Sequence, residues 1–171
     1  MLSFIKNTRF GPIGVDLGTR SIKLIQLSGS QDRVVEAVRW DLPESLPDND
    51  ALARRKILSD AVKAAMSGRN FHGRNAVLCL DGRELFIQNI RFPKVSRSEL
   101  ERLVAQEATN RFPFPANEAE IRFIEAADVR QGDVVRRELI VLACHRPVLD
   151  EKIEVLVESG LVPVAVAAEP S

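Results

Sequence analysis

Three short apolar runs separated by two tight turns open this chain, the pattern of successive strands. Ile13 to Asp16 follows the breaker pair Gly11-Pro12 and leads into a turn at Leu17-Gly18-Thr19. Ser21 to Ser28 alternates, with Ile22, Leu24 and Gln26 on one side and Lys23, Ile25 and Leu27 on the other. Such alternation reads as a strand with one face turned inward. Gly29 to Asp32 is a second turn, and Val34 to Leu42 a third strand. The opening is therefore expected to be an antiparallel meander.

Strands then alternate with helices. Pro43 to Asn49 is a loop, and Asp48 or Asn49 is expected to cap the helix that follows. In that helix Leu58, Ala61, Val62 and Ala65 recur at i, i+3, i+4 and i+7, an apolar stripe at helical period. Ser67 to Gly73 ends it. Ala76 to Leu80 is a buried strand, and Asp81-Gly82 a turn signal. The order through Leu80 is thus β-β-β-α-β.

A second pattern starts at Arg83. Glu84 to Phe92 reads as a strand closed by Pro93. Ser96 and Glu99 form a capping-box signature for a helix whose inner side carries Leu100, Leu103, Val104, Glu107 and Ala108. The run Phe112-Pro113-Phe114-Pro115 stops that helix. Ala119 to Ala127 and Val134 to Ala143 pair through Gln131-Gly132-Asp133, completing a compact β-α-β-β unit. Pro147 suits a helix first turn. Leu149, Ile153, Leu156 and Val157 are expected on one face, and Gly160 suits the helix end. Leu161 to Ala167 is expected to be a last buried strand. The fold class is α/β, and the chain shows no internal repeat.

Charge narrows the function classes. Lysine plus arginine balances aspartate plus glutamate, 24 against 24, so no basic excess exists to neutralise nucleic-acid phosphates. The two cysteines, Cys79 and Cys144, lie in apolar runs without metal-ligand or disulfide spacing and read as buried thiols. No apolar run approaches the roughly 18 residues that span a bilayer. Met1 to Lys6 is too short for a signal-peptide core. It reads as a loose tail, with contact to a membrane surface or partner as the alternative.

Chemistry concentrates in Ile13-Gly14-Val15-Asp16-Leu17-Gly18-Thr19-Arg20-Ser21-Ile22-Lys23-Leu24. A glycine in the turn lets backbone N–H groups approach phosphate oxygens. Thr19 and Ser21 can add hydroxyl donors. Lys23 can supply positive charge, although strand alternation can aim it elsewhere. Asp16 is a hard oxygen ligand suited to Mg²⁺, directly or through water. Arg20 either adds a phosphate contact or points to solvent. A plain hairpin that happens to contain Asp-x-Gly-Thr is the alternative.

That segment resembles the first phosphate motif of the actin, Hsp70 and sugar-kinase superfamily. The middle of the chain resembles the PilM branch. The carrying residues are Ser96 to Glu99, Glu107, Phe112-Pro113-Phe114-Pro115 and Glu118 to Glu125. Leu139 to Cys144, the Pro147 to Ser159 helix, Gly160-Leu161-Val162-Pro163 and Val166 to Pro170 match as well, so the likeness runs from about Phe10 to Ser171. FtsA shares the layout, but the Pro-Phe-Pro element favours PilM.

The resemblance implies an actin-like, ribonuclease H-like subdomain with a small inserted subdomain, half of a two-domain actin fold. Residues 10–82 and 145–171 are the expected core, 83–144 the insert, and 1–9 a tail. It implies ATP with Mg²⁺ as cofactors. It also implies recruitment of the tail of the inner-membrane protein PilN on the cytoplasmic side, and it allows self-association. Leu100, Leu103, Val104, Phe112 and Phe114 are the candidates to line the peptide groove, with a plain core role as the alternative. Relatives are about twice as long, so this chain is expected to be half of a nucleotide clamp, binding weakly without turnover. His72 is expected to be exposed, His145 to be structural, and Arg54-Arg55-Lys56 to be solvated. A sugar- or acetate-kinase-like activity and a peptide-binding module with a decayed nucleotide site are the competing functions.

Overall fold

The computed structural model describes residues 9–47 and 49–168, the side chains of Thr109 and Gln131 excepted. The expectations for Met1 to Lys6 and for Asp48 lie outside these residues. The described chain divides into two compact units, one reaching to Asp81 and resuming at Asp150, the other Gly82–Leu149.

The first unit is built on β1 (Phe10–Leu17), β2 (Ser21–Ser28), β3 (Val34–Asp41), α1 (Ala51–Met66), β4 (Asn75–Leu80), the later part of α3 (Arg146–Glu158) and β8 (Val162–Ala168). β1 to β3 form the meander that the alternation predicts. β4 runs parallel to β1, and β8 parallel to β4, giving the order β3-β2-β1-β4-β8. Burial alternates along the strands. Ile13, Val15 and Leu17 in β1 and Ile22, Leu24 and Gln26 in β2 are buried, so Asp16 and Lys23 lie on the opposite face.

Gln26 is the polar member of this buried row, at 0% exposure. Its Nε2 donates to the carbonyls of Gly11 and His72 at 2.8 and 2.7 Å, and its Oε1 accepts from the His72 N–H at 2.7 Å. All the strong partners of a buried amide are supplied, so the desolvation cost is met. The bonds tie the β1 bulge at Phe10/Ile13 to the connector before β4. The same connector stacks the His72 ring on Phe10, centroids 3.8 Å apart, so His72 is half-buried rather than exposed.

Asp50, not Asn49, caps α1, accepting from the Ala53 N–H at 2.9 Å. The basic run on α1 is not simply solvated. Arg54 makes a two-pronged pair with Glu151 of α3, both bonds 2.9 Å, and Arg55 pairs with Glu154 and Glu158. Lys56 alone of the three stays well exposed, at 77%. The periodicity identified the outward face of α1 but could not show that a second helix lies beside it. On α3 the buried residues are Val155 and Leu156, and Val157 is 56% exposed, which corrects the expected stripe by one position.

The end of α3 is set by Gly160, at φ +86°. The Gly160 N–H bonds to the Val157 carbonyl at 2.9 Å and the Leu161 N–H to the Leu156 carbonyl at 3.0 Å. This is the pair of a Schellman closure, which needs a left-handed residue and so favours glycine. β8 then pairs with β4 along one side only, and Val162, Val164 and Val166 are about half exposed. The expectation of a buried strand is corrected. An all-apolar sequence records β propensity, whereas burial depends on what packs against the strand.

The second unit contains β5 (Leu85–Pro93), α2 (Arg97–Arg111), the short 3-10 turn Ala116–Glu118, β6 (Ala119–Gln131) and β7 (Val134–His145). The sheet order is β5-β7-β6, all antiparallel. α2 lays Leu100, Val104 and Ala108 onto Ile90, Phe92, Leu139, Val141 and Ala143. Ser96 caps α2, its hydroxyl accepting from the Glu99 N–H at 3.4 Å. Glu107 does not join the core; it pairs with Arg111 at 2.7 Å on the helix surface.

Candidate functional site

The β1–β2 hairpin is the candidate nucleotide site. Asp16 and Lys23 are directly opposed in the ladder, on the same face, and Lys23 Nζ lies 2.8 Å from Asp16 Oδ2. Their side chains are 29% and 56% exposed for Asp16 and Lys23, so the carboxylate is not sealed in an apolar interior. Lys23 therefore acts first on Asp16, and a phosphate would have to share it.

The hairpin corrects two expectations. The Gly18 N–H is not available to a ligand, because it donates to the Ser21 carbonyl at 3.1 Å. Glycine is required there for a different reason: a Cβ would stand 2.8 Å from that carbonyl oxygen, a backbone atom that cannot swing aside. Ser21 is buried at 6% exposure, so its hydroxyl is not presented to solvent. Thr19 and Arg20 are exposed at the tip. Among the described residues neither of their backbone N–H groups has an acceptor. The Arg20 carbonyl accepts from the Leu42 N–H at 2.9 Å.

The donor set fits a phosphate group at the tip through the Thr19 and Arg20 amides, the Thr19 hydroxyl and the Arg20 guanidinium. It fits Mg²⁺ only through Asp16. Among the described residues no three His, Cys, Asp or Glu side chains gather as a metal cage. One carboxylate is nonetheless what magnesium commonly takes when phosphates and water complete its shell.

Sequence reasoning missed Lys152. It lies on α3 and donates from Nζ to the Leu17 carbonyl at 3.1 Å, at the base of the hairpin. A signal existed, since Lys152 falls on the same helical stripe as Leu149, Ile153 and Leu156.

The second unit holds the candidate peptide residues, and they divide. Leu100, Val104 and Phe112 are buried at 1%, 3% and 7%, part of the core rather than a surface. Leu103 and Phe114 are half-buried and pack against that core from outside. Phe114 is ringed by aromatic contacts, with Phe86 at 5.4 Å, Phe112 at 6.0 Å and His145 at 5.5 Å between centroids. His145 Nε2 lies 2.9 Å from Glu118 Oε2, consistent with a structural role. Phe86, Pro113, Phe114, Pro115, Glu118 and His145 line an open cavity of about 490 Å³. Sequence reasoning placed Phe114 there but not His145 or Glu118, which are brought in by strand pairing. Cys79 and Cys144 are both free thiols. Burial, reinforced by Glu120 and Glu84, pushes the Cys144 thiol up.

The meander, the parallel β4 and β8, and the unit inserted between them define an actin-like α/β fold. The sequence model of the family described as type IV pilus assembly protein PilM matches residues 14–170, and the chain belongs to that family. A solved structure described as a PilM-PilN type IV pilus biogenesis complex superposes with a TM-score of 0.79 at 23% identity, covering 96% of this chain and 48% of that one. The cytoplasmic domain of EpsL, an inner membrane component of the type II secretion system of Vibrio cholerae, superposes with a TM-score of 0.59 at 13% identity, covering 90% and 56%. At these identities the likeness is one of fold. The chain spans about half the length of the solved structures it matches. Among the described residues no helix is long and apolar enough to cross a membrane.

Proposed function

We propose that this chain is a nucleotide-binding scaffold element of type IV pilus assembly, holding ATP phosphates and Mg²⁺ at the β1–β2 hairpin and recruiting a PilN-like cytoplasmic tail of an inner-membrane protein. The observation that carries the reading is the hairpin itself: its strands hold the Asp16–Lys23 pair, and at its tip two adjacent amides, Thr19 and Arg20, have no acceptor among the described residues. Consecutive free amides in a turn form an anion-binding concavity. The peptide would meet the second unit at the cavity lined by Phe114 and Pro113, with Leu103 as a further contact. The role proposed for these residues is binding, since two amides from one side enclose little of a nucleotide. It acts on the cytoplasmic face of the inner membrane, through its partner.

A second reading has its own support. The Gly18 amide is already satisfied and Asp16 is already paired, so the hairpin is stable without a ligand. In that reading the peptide site alone remains functional. Calorimetric titration with Mg-ATP, and separately with a PilN-like tail peptide, decides between them. Saturable Mg-ATP binding that Asp16→Ala removes, with peptide binding intact, supports the first. Peptide binding with no heat from Mg-ATP supports the second. Mg-ATP binding that is indifferent to Asp16→Ala sinks the hairpin assignment.

A further inference from the structure

The peptide unit joining Leu17 to Gly18 is held at both ends. Its carbonyl oxygen accepts from Lys152 Nζ at 3.1 Å, and its N–H donates to the Ser21 carbonyl at 3.1 Å. A trans peptide is a rigid plane, so two bonds on opposite edges fix its tilt about the chain axis. The plane joining Arg20 to Ser21 is held as well, through the Arg20 carbonyl and the Leu42 N–H at 2.9 Å. Between these two clamped planes lie the N–H groups of Thr19 and Arg20, which among the described residues have no acceptor. Two of the three clamps are backbone pairs, which the hairpin supplies for itself and for the neighbouring loop. The third is a side chain from a helix 135 residues further along the chain.

We propose that Lys152 is a positioning residue for the anion site: by holding the Leu17 carbonyl it orients the hairpin so that the Thr19 and Arg20 amides stay directed at phosphate oxygens. The inference rests on the nucleotide reading for its ligand, and on geometry alone for its effect on the hairpin. Lys152 is half-buried, so methionine keeps most of its packing and removes the ammonium with every interaction it makes. Arginine keeps a charged donor of similar reach.

The test compares the parent chain with Lys152→Met and Lys152→Arg. Two quantities are measured, the hydrogen exchange rate of the Gly18 amide without ligand and the calorimetric affinity for Mg-ATP and for inorganic pyrophosphate. Lys152→Met is expected to speed Gly18 exchange and to weaken both ligands about tenfold, the scale of one charged hydrogen bond, with Lys152→Arg restoring both. If Lys152→Met weakens the ligands but leaves Gly18 exchange unchanged, the lysine acts through charge alone and the positioning role is overturned. Parent-like behaviour of Lys152→Met in both measurements overturns it outright. If the parent binds neither ligand while Lys152→Met still speeds Gly18 exchange, the nucleotide reading fails and the role at an anion site is overturned with it, leaving only the hold of Lys152 on the hairpin.

Discussion

The two units solve different problems with similar means. In the second unit a single helix, α2, lies on a three-stranded sheet, and the interior is apolar throughout: Leu100, Val104, Leu139 and Val141 are each at most 3% exposed. In the first unit a larger mixed sheet buries an amide, Gln26, and its polar groups are satisfied by backbone from two separate segments, at Gly11 and His72. Five phenylalanines, Phe86, Phe92, Phe112, Phe114 and Phe123, belong to the second unit, whereas Phe10, Trp40 and Phe71 belong to the first. A small domain fills its core with large apolar side chains because it has little volume to work with. The first unit also has an apolar core, with Ile13, Ile22, Leu24, Leu78 and Leu156 each at most 2% exposed, and adds to it the hydrogen bonds of Gln26 and a turn at its edge tied by backbone pairs. The difference teaches where to look for chemistry, at the hairpin whose backbone is fixed by other segments rather than at the best-packed core.

Five substitutions probe that contrast, taken from the largest expected effect to the smallest. Leu100→Ala should cost about 2–5 kcal/mol, because Leu100 is fully enclosed between α2 and the sheet. Chemical denaturation followed by a probe in each unit would show the loss confined to the second unit. Equal loss in both would mean that the units unfold as one. Gly18→Ala should cost about 1–3 kcal/mol by forcing a Cβ against the Ser21 carbonyl. It should also abolish any anion binding, and a variant of parental stability would show that the hairpin relaxes more freely than its bonds suggest.

Glu151→Gln removes one side of the two-pronged pair with Arg54, each partner under 30% exposed. The expected loss is about 1–2 kcal/mol, read from thermal denaturation at low and moderate salt. An unchanged midpoint would place this pair with the surface pairs that contribute nothing measurable.

The smallest effect separates the units electrostatically. Hydroxyl donors Ser28 and Ser30 hold the Asp32 carboxyl below its ordinary value of 3.8. In the second unit Lys94, then Arg137, hold Asp128 below 3.8. A depressed carboxylate stabilises the folded state fully above the unfolded value. That contribution fades as pH falls from 3.8 through the folded value. Asp128→Asn should therefore flatten the acid limb of stability below pH 4, as should Asp32→Asn. Added salt should raise the Asp128 titration toward 3.8 while leaving Asp32 nearly still, because ion pairs are screened and neutral hydrogen bonds are not. Titrations by NMR that moved together would contradict the assignment of different causes.

The elements were largely legible because their signals are local. Alternation in β2, the helical stripe Val62 to Ala65 and the Ser96 cap each depend on residues within a turn or two. The element order showed an α/β class, and the actin-like assignment came from the resemblance of Ile13 to Leu24 and of Ser96 to Pro115 to known family motifs. Reading failed where a property depends on a distant partner. Arg54 looked solvated until Glu151 stood beside it, and Val157 and Val155 exchanged places because a stripe of apolar residues does not say which edge faces inward. At the site, Asp16, Lys23 and the turn were identified by type and spacing, but the Gly18 amide was assigned to a ligand that the Ser21 carbonyl had already displaced.

From the residues alone came the succession of strands and helices, the glycines at Gly18 and Gly160, and Asp16 and Lys23 on the two strands flanking one turn, since period, turn chemistry and side-chain type act over a few residues. Only the folded chain decided which amides of the hairpin stay open and which are closed. It also decided that Lys152 reaches Leu17 and that β8 leaves its valines half exposed. Each of these is a contact between segments far apart in sequence, and such contacts carry no local pattern until the backbone has brought them together.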